Sequence, residues 1–245
     1  MTQGGRQKSA SGFCRVYMEE LFSIALDGPV GAGKSSVADA VAERLHILHL
    51  DTGAMYRALG LACLEKGISP EKQEEVEALC HRLQFDVVHE QDGQHTLVDG
   101  VDVTGKIRTE AVSMAASKVA TYPGVRREMV RIQQQLASQQ SMLVDGRDIG
   151  TRVLPNATLK IFLTASDEVR AQRRYLQLKE KTPDVRYEDV LEDLRRRDEQ
   201  DMHRETDPLR VAEDALTVDS SELNFQDTVQ LIIDLVRQKH EASRK

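Results

Sequence analysis

The chain has 245 residues, enough for one sizeable core or for a core carrying smaller insertions. Its net charge of −7 argues against a nucleic-acid binder, because a polyanion needs a basic face, so any anionic ligand must be met by a local cluster of cations. No apolar run approaches the roughly 18 residues of a membrane span, and the three cysteines, Cys14, Cys63 and Cys80, lack C-x-x-C spacing, which fits a reducing cytoplasm better than a disulfide framework or a zinc knuckle.

Residues 1–20 read as a loose tail, polar and without the apolar core of a signal peptide. Leu21 to Leu26 is a short apolar run of the kind that makes a buried strand, and it stops at the turn residues Asp27-Gly28-Pro29. Val37, Val41 and Leu45, with Ala38 and Ala42 beside them, mark the stripe of an amphipathic helix. A strand from His46 to Leu50 follows, so strand, helix and strand form a βαβ unit and predict a parallel sheet. Next come a helix from about Ala54 to Lys66 and another opened by Ser69 as N-cap with Pro70 at its first position. Its buried face holds Val76, Leu79, Cys80 and Leu83.

Between Phe85 and Thr104 the pattern changes to three short strand-like runs separated by Asp92-Gly93 and Asp99-Gly100, dipeptides suited to type I′ hairpin turns. This is a meander inserted into an α/β rhythm that then resumes. A helix is expected near Gly124 to Ser138, with strands at Ser141 to Asp145 and Thr158 to Leu163. Helices follow from about Asp167 behind Ser166 and from Tyr187 to Arg204, then a strand from Ala215 to Asp219 and a helix capped by Asn224. Five parallel strands with helices on both faces is the economical α/β architecture.

Gly28-Pro29-Val30-Gly31-Ala32-Gly33-Lys34-Ser35 matches G-x-x-x-x-G-K-[ST], with a strand before it and a helix after it. Glycines let successive N–H groups converge on phosphate oxygens at a helix N-terminus, Lys34 adds a mobile charge, and the Ser35 hydroxyl suits Mg²⁺. A P-loop alone leaves kinase, ATPase, GTPase and binding module open. Arginine groups argue for a second anion site. Thr52 and Arg57 follow the second strand, Arg147 stands between Asp145 and Asp148 after the third, and Arg197, Asp201 and Arg204 share one helical face about 10 Å long. Each group alone reads as readily as ion pairing on a solvated loop or helix. The seven histidines form no metal constellation, and His46 and His49 read as packing or solvent-facing.

From Leu21 to about Lys239 the chain resembles the bacterial-type cytidylate kinases, through DGPVGAGKSS, LDTGAMYR, ASKVATYPGVR, LVDGRDIGT, KIFLTAS, RRYLQL and RRRDEQDMHRETDPL in order. The resemblance implies a P-loop kinase domain over 21–245, with a nucleotide-monophosphate-binding insert of strands and helix at about 78–117 and a lid at about 170–187. It implies ATP on Gly28 to Ser36, and CMP or dCMP held by Thr52, Arg57, Ser117, Arg126, Arg147, Asp148, Arg197, Asp201 and Arg204. Ser117, Arg126 and Asp148 would meet the cytosine, Arg57, Arg147 and Arg204 the acceptor phosphate, and Arg197 and Asp201 the sugar. Lys34, Arg147, Asp148 and Arg204 would carry catalysis with Mg²⁺ on Ser35. Arg173, Arg174 and Gln177 would belong to the lid. Ser36 stands where the family often has threonine, and the tail has no counterpart there. A monomer is the default expectation.

Overall fold

A computed structural model describes residues 21–90, 93–180 and 182–243. The tail expected over 1–20 lies outside them. The elements in chain order are β1 (Ser23–Asp27), α1 (Lys34–Leu45), β2 (Leu48–Asp51), α2 (Thr52–Glu65), α3 (Gln73–Arg82), β3 (Phe85–Glu90), β4 (Gly93–Val98) and β5 (Val101–Asp102). They continue with α4 (Glu110–Val119), α5 (Pro123–Ala137), β6 (Met142–Gly146), a π-helical turn (Ile149–Val153), β7 (Leu159–Thr164), α6 (Asp167–Lys179), α7 (Tyr187–His203), β8 (Leu216–Asp219) and α8 (Phe225–Ser243).

Five strands form one sheet in the order β2-β6-β1-β7-β8, with every pairing parallel. The two-residue period of a strand sends alternate side chains to opposite faces, and both faces are covered. Ala25, Leu50 and Val144 pack with Met55, Leu59, Leu79, Val112 and Met129 of α2 to α5. Ile24, Leu26, Leu143, Ile161 and Leu163 pack on the other side with Val37 and Val41 of α1 and Val229 and Ile232 of α8. This is the three-layer α/β arrangement that the chain pattern predicted. The three-stranded β3-β4-β5 sheet is antiparallel, again as expected.

Several local expectations need correction. His46 is not in a strand: it ends α1 in the left-handed region at φ 54°, its N–H returning to Ala42 and Glu43, while the Ile47 N–H bonds the Ala42 carbonyl. A histidine here does the work that glycine usually signals, so the helix end is silent in the sequence. Ser69 and Pro70 do not open a helix but a turn closed by Lys72 N–H to Ser69 O at 3.0 Å, and α3 starts only at Gln73. Proline at the second position of a turn uses the same chemistry as proline at a helix start. Asp99 and Gly100 adopt φ 51° and 77° between paired Val98 and Val101, the expected type I′ geometry. Gly93 pairs with Glu90 as the first residue of β4, and Asp92 lies outside the described residues. Helix α4, whose Thr109 cap accepts from the Val112 N–H, had not been placed residue by residue.

The parallel order sets the carboxyl ends of β1, β2 and β6 side by side at Asp27, Asp51 and Gly146, the edge where open α/β sheets bind ligands. Two latches hold the insert there. Gln94 Oε1 accepts the Asp51 N–H at 2.8 Å, and His89 Nε2 lies 2.6 Å from the His49 carbonyl.

Candidate active site

The P-loop end is built mainly from backbone. Gly28 sits at φ 152° so close to β7 that a Cβ there would stand 2.0 Å from the Leu163 carbonyl oxygen, which leaves no room for any other residue. Gly33 forms the left-handed N-cap of α1 at φ 85°, and its open surroundings leave the following N–H groups free to face an anion. Pro29 and Ala32 are buried, and Ser36 is exposed on α1. A strap crosses the loop at Val30: its N–H donates to Asp198 Oδ1 at 2.8 Å and its carbonyl accepts from Arg170 Nη1 at 2.6 Å. Arg170 and Asp198 are themselves paired at 2.5 Å, both buried.

Lys34 is buried and donates to the Pro29 carbonyl at 2.7 Å. Burial first, and then the nearby Arg147 charge, push its ammonium down to about 7. Ser35 Oγ donates to Asp145 Oδ2 at 2.8 Å. A hydroxyl beside a carboxylate at the end of a neighbouring strand is a pair of hard oxygen donors, and it fits a Mg²⁺ whose remaining ligands are phosphate and water. Sequence reasoning assigned only Ser35 to the metal. Asp145 was visible in the DGRD run, but the run does not say which of its carboxylates faces the P-loop.

The arginine–aspartate cluster opposite it is built from side chains. Arg126, with 1% of its surface exposed, donates to Asp148 Oδ2 at 2.6 Å, to Asp207 Oδ2 at 3.1 Å and to the Ala120 carbonyl at 3.1 Å. Its guanidinium stands 5.7 Å from the Tyr56 ring. Arg204 reaches Asp148 Oδ1 at 3.2 Å and the Asp207 carbonyl. Arg147 donates to Asp201 Oδ2 at 2.7 Å, and Asp201 also faces Arg204 at 3.6 Å. Arg126, Asp148, Arg204, Asp201 and Arg147 therefore form one continuous chain of alternating charge. Burial, and then the neighbouring guanidinium group, lowers the proton affinity of Arg197 (beside Arg147) and Arg204 (beside Arg126), whereas, against burial, Asp201 raises that of Arg147 and Tyr56 and Asp148 that of Arg126.

The remaining predicted residues attach less directly. Arg57 donates to Asp51 Oδ2 at 2.7 Å, and its buried Nε has no hydrogen-bond partner among the described residues. Thr52 Oγ1 donates to the Asp145 carbonyl at 2.8 Å, joining β2 to β6. Ser117 meets Gln200 of α7, whose Nε2 donates to the Ser117 carbonyl at 3.2 Å. Arg197 is only loosely paired, 3.9 Å from Asp193. Arg173 points elsewhere, to Ser220 Oγ at 3.1 Å and the Ser220 carbonyl at 2.7 Å at the foot of α8. Asp207, Gln200, Asp198 and Arg170 were missed because their partners are distant in sequence. His49 was misread: it neither packs passively nor faces solvent but lies between Asp39 and Asp145 at 2.6 and 2.8 Å. Burial opposes its charged form, yet Asp145 and Asp39 outweigh that and hold the imidazolium up to about 10.

The loop at one end and the arginine-lined second anion site at the other define a P-loop phosphotransferase. A family model described as cytidylate kinase matches residues 24–238. The cytidylate kinase of Bacillus subtilis strain 168 is 47% identical over 222 residues, covering 91% of this chain and 99% of that one. The cytidylate kinase of Caldicellulosiruptor bescii is 47% identical over 213 residues, covering 87% and 94%. Among solved structures, an uncharacterized protein from Eubacterium ventriosum superposes with a TM-score of 0.50 at 11% identity, covering 88% of this chain and 98% of its own, a likeness of fold alone. The chain belongs to the cytidylate kinase family.

Proposed function

We propose that the protein transfers the γ-phosphoryl group of ATP to CMP or dCMP, giving ADP and the corresponding diphosphate. The observation that carries this reading, beside family membership, is the position of Arg147: it follows by two residues Asp145, whose carboxylate accepts from Ser35 of the P-loop, while its own guanidinium donates to Asp201 of the acceptor chain. One side chain thus lies between the two half-sites. Two polyanions repel, so a transfer in line between them needs cations at that junction.

In this reading the P-loop amides, Lys34 and Ser35 hold the triphosphate. Arg57, with its unpartnered Nε, receives the acceptor phosphate together with Arg147 and Arg204. Asp148 accepts from the cytosine N4 amino group, Ser117 and Arg126 flank the ring, and Arg197 and Asp201 serve the sugar. Catalysis is positioning, since an acceptor phosphate oxygen is already ionised at neutral pH and needs no strong base. Mg²⁺ held with the phosphates by Ser35 and Asp145 would supply charge neutralisation on the transferring group. The insert of about 78–117 and the lid of about 170–187 close over the nucleotides and exclude water, which would otherwise accept the phosphoryl group. Because Arg173 is committed to Ser220, the lid charge that reaches the phosphates comes from elsewhere in that segment. We place the protein in the cytosol, where the free buried thiols of Cys63 and Cys80 stay reduced, with a monomer as the default state.

The test is ADP formation from ATP and Mg²⁺ with CMP, dCMP, UMP and AMP offered separately. Preference for CMP and dCMP is expected. Equal use of UMP would remove the Asp148 assignment and spare the kinase. Hydrolysis without transfer to any acceptor would overturn the reading and favour a nucleotide-operated switch.

A further inference from the structure

Helix α1 grips strand β6 at two points. Ser35 and Asp39 stand one turn apart on the same face of α1. Ser35 Oγ donates to Asp145 Oδ2 at 2.8 Å, while Asp39 Oδ1 lies 2.6 Å from His49 Nδ1, and His49 Nε2 lies 2.8 Å from Asp145 Oδ1. Both ring nitrogens face carboxylate oxygens, which only accept, so both carry protons and the ring is a buried cation between two anions. His49 and Asp145 side chains are 7% and 4% exposed, whereas Asp39 is 69% exposed and reaches the pair from the surface. Neither the P-loop pattern nor the fold requires an imidazole in the middle of β2.

We infer that His49 is a positioning residue: anchored by Asp39, it holds one oxygen of Asp145 so that the other stays beside Ser35, where the metal of the bound nucleotide is expected. Without that bond, the carboxylate is free to rotate about its Cβ–Cγ bond and carry Oδ2 away from Ser35. This inference rests on the ATP reading of the P-loop. Residues that orient metal ligands from behind commonly change metal affinity or activity by about 10–100-fold.

The test is calorimetric binding of a non-hydrolysable ATP analogue, without acceptor, in Mg²⁺ and in EDTA, for the wild type, His49→Leu, His49→Gln and Asp39→Asn. In His49→Leu the gain in affinity that Mg²⁺ confers should fall by about 10–100-fold, with affinity in EDTA unchanged. His49→Gln keeps an N–H donor for Asp145 and should recover part of the loss. Asp39→Asn, altered at an exposed position, should show a smaller loss in the same direction. An undiminished Mg²⁺ gain in His49→Leu, or an equal loss with and without metal, overturns the inference alone, even if the melting temperature drops. Failure of the wild type to bind the analogue overturns the ATP reading and the inference together.

Discussion

The two halves of the site are made of different material. The P-loop half is a backbone turn whose shape follows from three glycines and a helix start, braced from outside by the buried Arg170–Asp198 pair. The other half is a lattice of buried ion pairs drawn from α5, the DGRD run, α7 and the loop after it. A turn can be rebuilt by any sequence with glycines in the right places, whereas a lattice depends on every member, because a buried charge deprived of its partner is strongly unfavourable. The difference predicts that mutations in the turn itself act on rate and those in the lattice on rate and stability together.

Asp148→Ala is the harshest way to break that contrast. It strips Arg126 and Arg204 of a shared carboxylate, and urea denaturation should show a loss of about 3–5 kcal/mol, with the preference for CMP over UMP weakened in the same variant. Lys34→Ala should do the opposite. Transfer should fall on the order of 10²–10³-fold in a coupled ADP assay, while circular dichroism and the urea midpoint remain near those of the wild type. A lattice variant that keeps its stability, or a P-loop variant that loses it, would erase the distinction.

Asp27 sharpens the comparison because it belongs to both halves. It precedes Gly28, and its two oxygens accept the Ile149 and Gly150 N–H groups at 2.7 Å each, fixing the π-helical turn that follows Asp148. Burial raises its carboxyl from 3.8 to about 6 against the pull of those N–H groups. The folded protein thus keeps a proton that the unfolded chain has released, so stability from this group is lost as pH rises from about 4 to 6, by about 3 kcal/mol in all. Urea midpoints between those pH values should therefore fall more steeply in the wild type than in Asp27→Asn. The smallest effect belongs to Gln94→Ala. It removes one latch of the insert, worth about 0.5–1.5 kcal/mol, and should speed hydrogen exchange at the Asp51 amide without altering exchange in β1.

What the sequence conveyed follows the same division. The P-loop was legible because its conformation is set within eight residues, and the parallel sheet because buried strands and amphipathic stripes are local patterns. The acceptor lattice was legible only as isolated arginines and aspartates. Arg126 meets Asp148 22 residues away and Asp207 81 away, and no periodicity links them. The family resemblance named most of the lattice but not Asp207, Gln200 or the Arg170 to Asp198 strap. His49 was invisible for the same reason, its two carboxylates lying 10 and 96 residues distant. Where a helix began or ended on unusual chemistry, at His46 and at Ser69-Pro70, local rules pointed to the wrong boundary.

Strand β2 is one of the two edge strands of the large sheet, β8 being the other, with β6 on one side only. Its outward groups, the His49 carbonyl and the Asp51 N–H, are occupied by side chains of the insert rather than by another strand. A bare sheet edge is a template on which a second molecule adds its own strand, the first step of aggregation. Any lifting of the insert exposes that template for as long as it lasts. Ligands that keep the insert down should therefore act as solubilisers, and the storage life of a concentrated solution becomes a measure of how often the insert lifts.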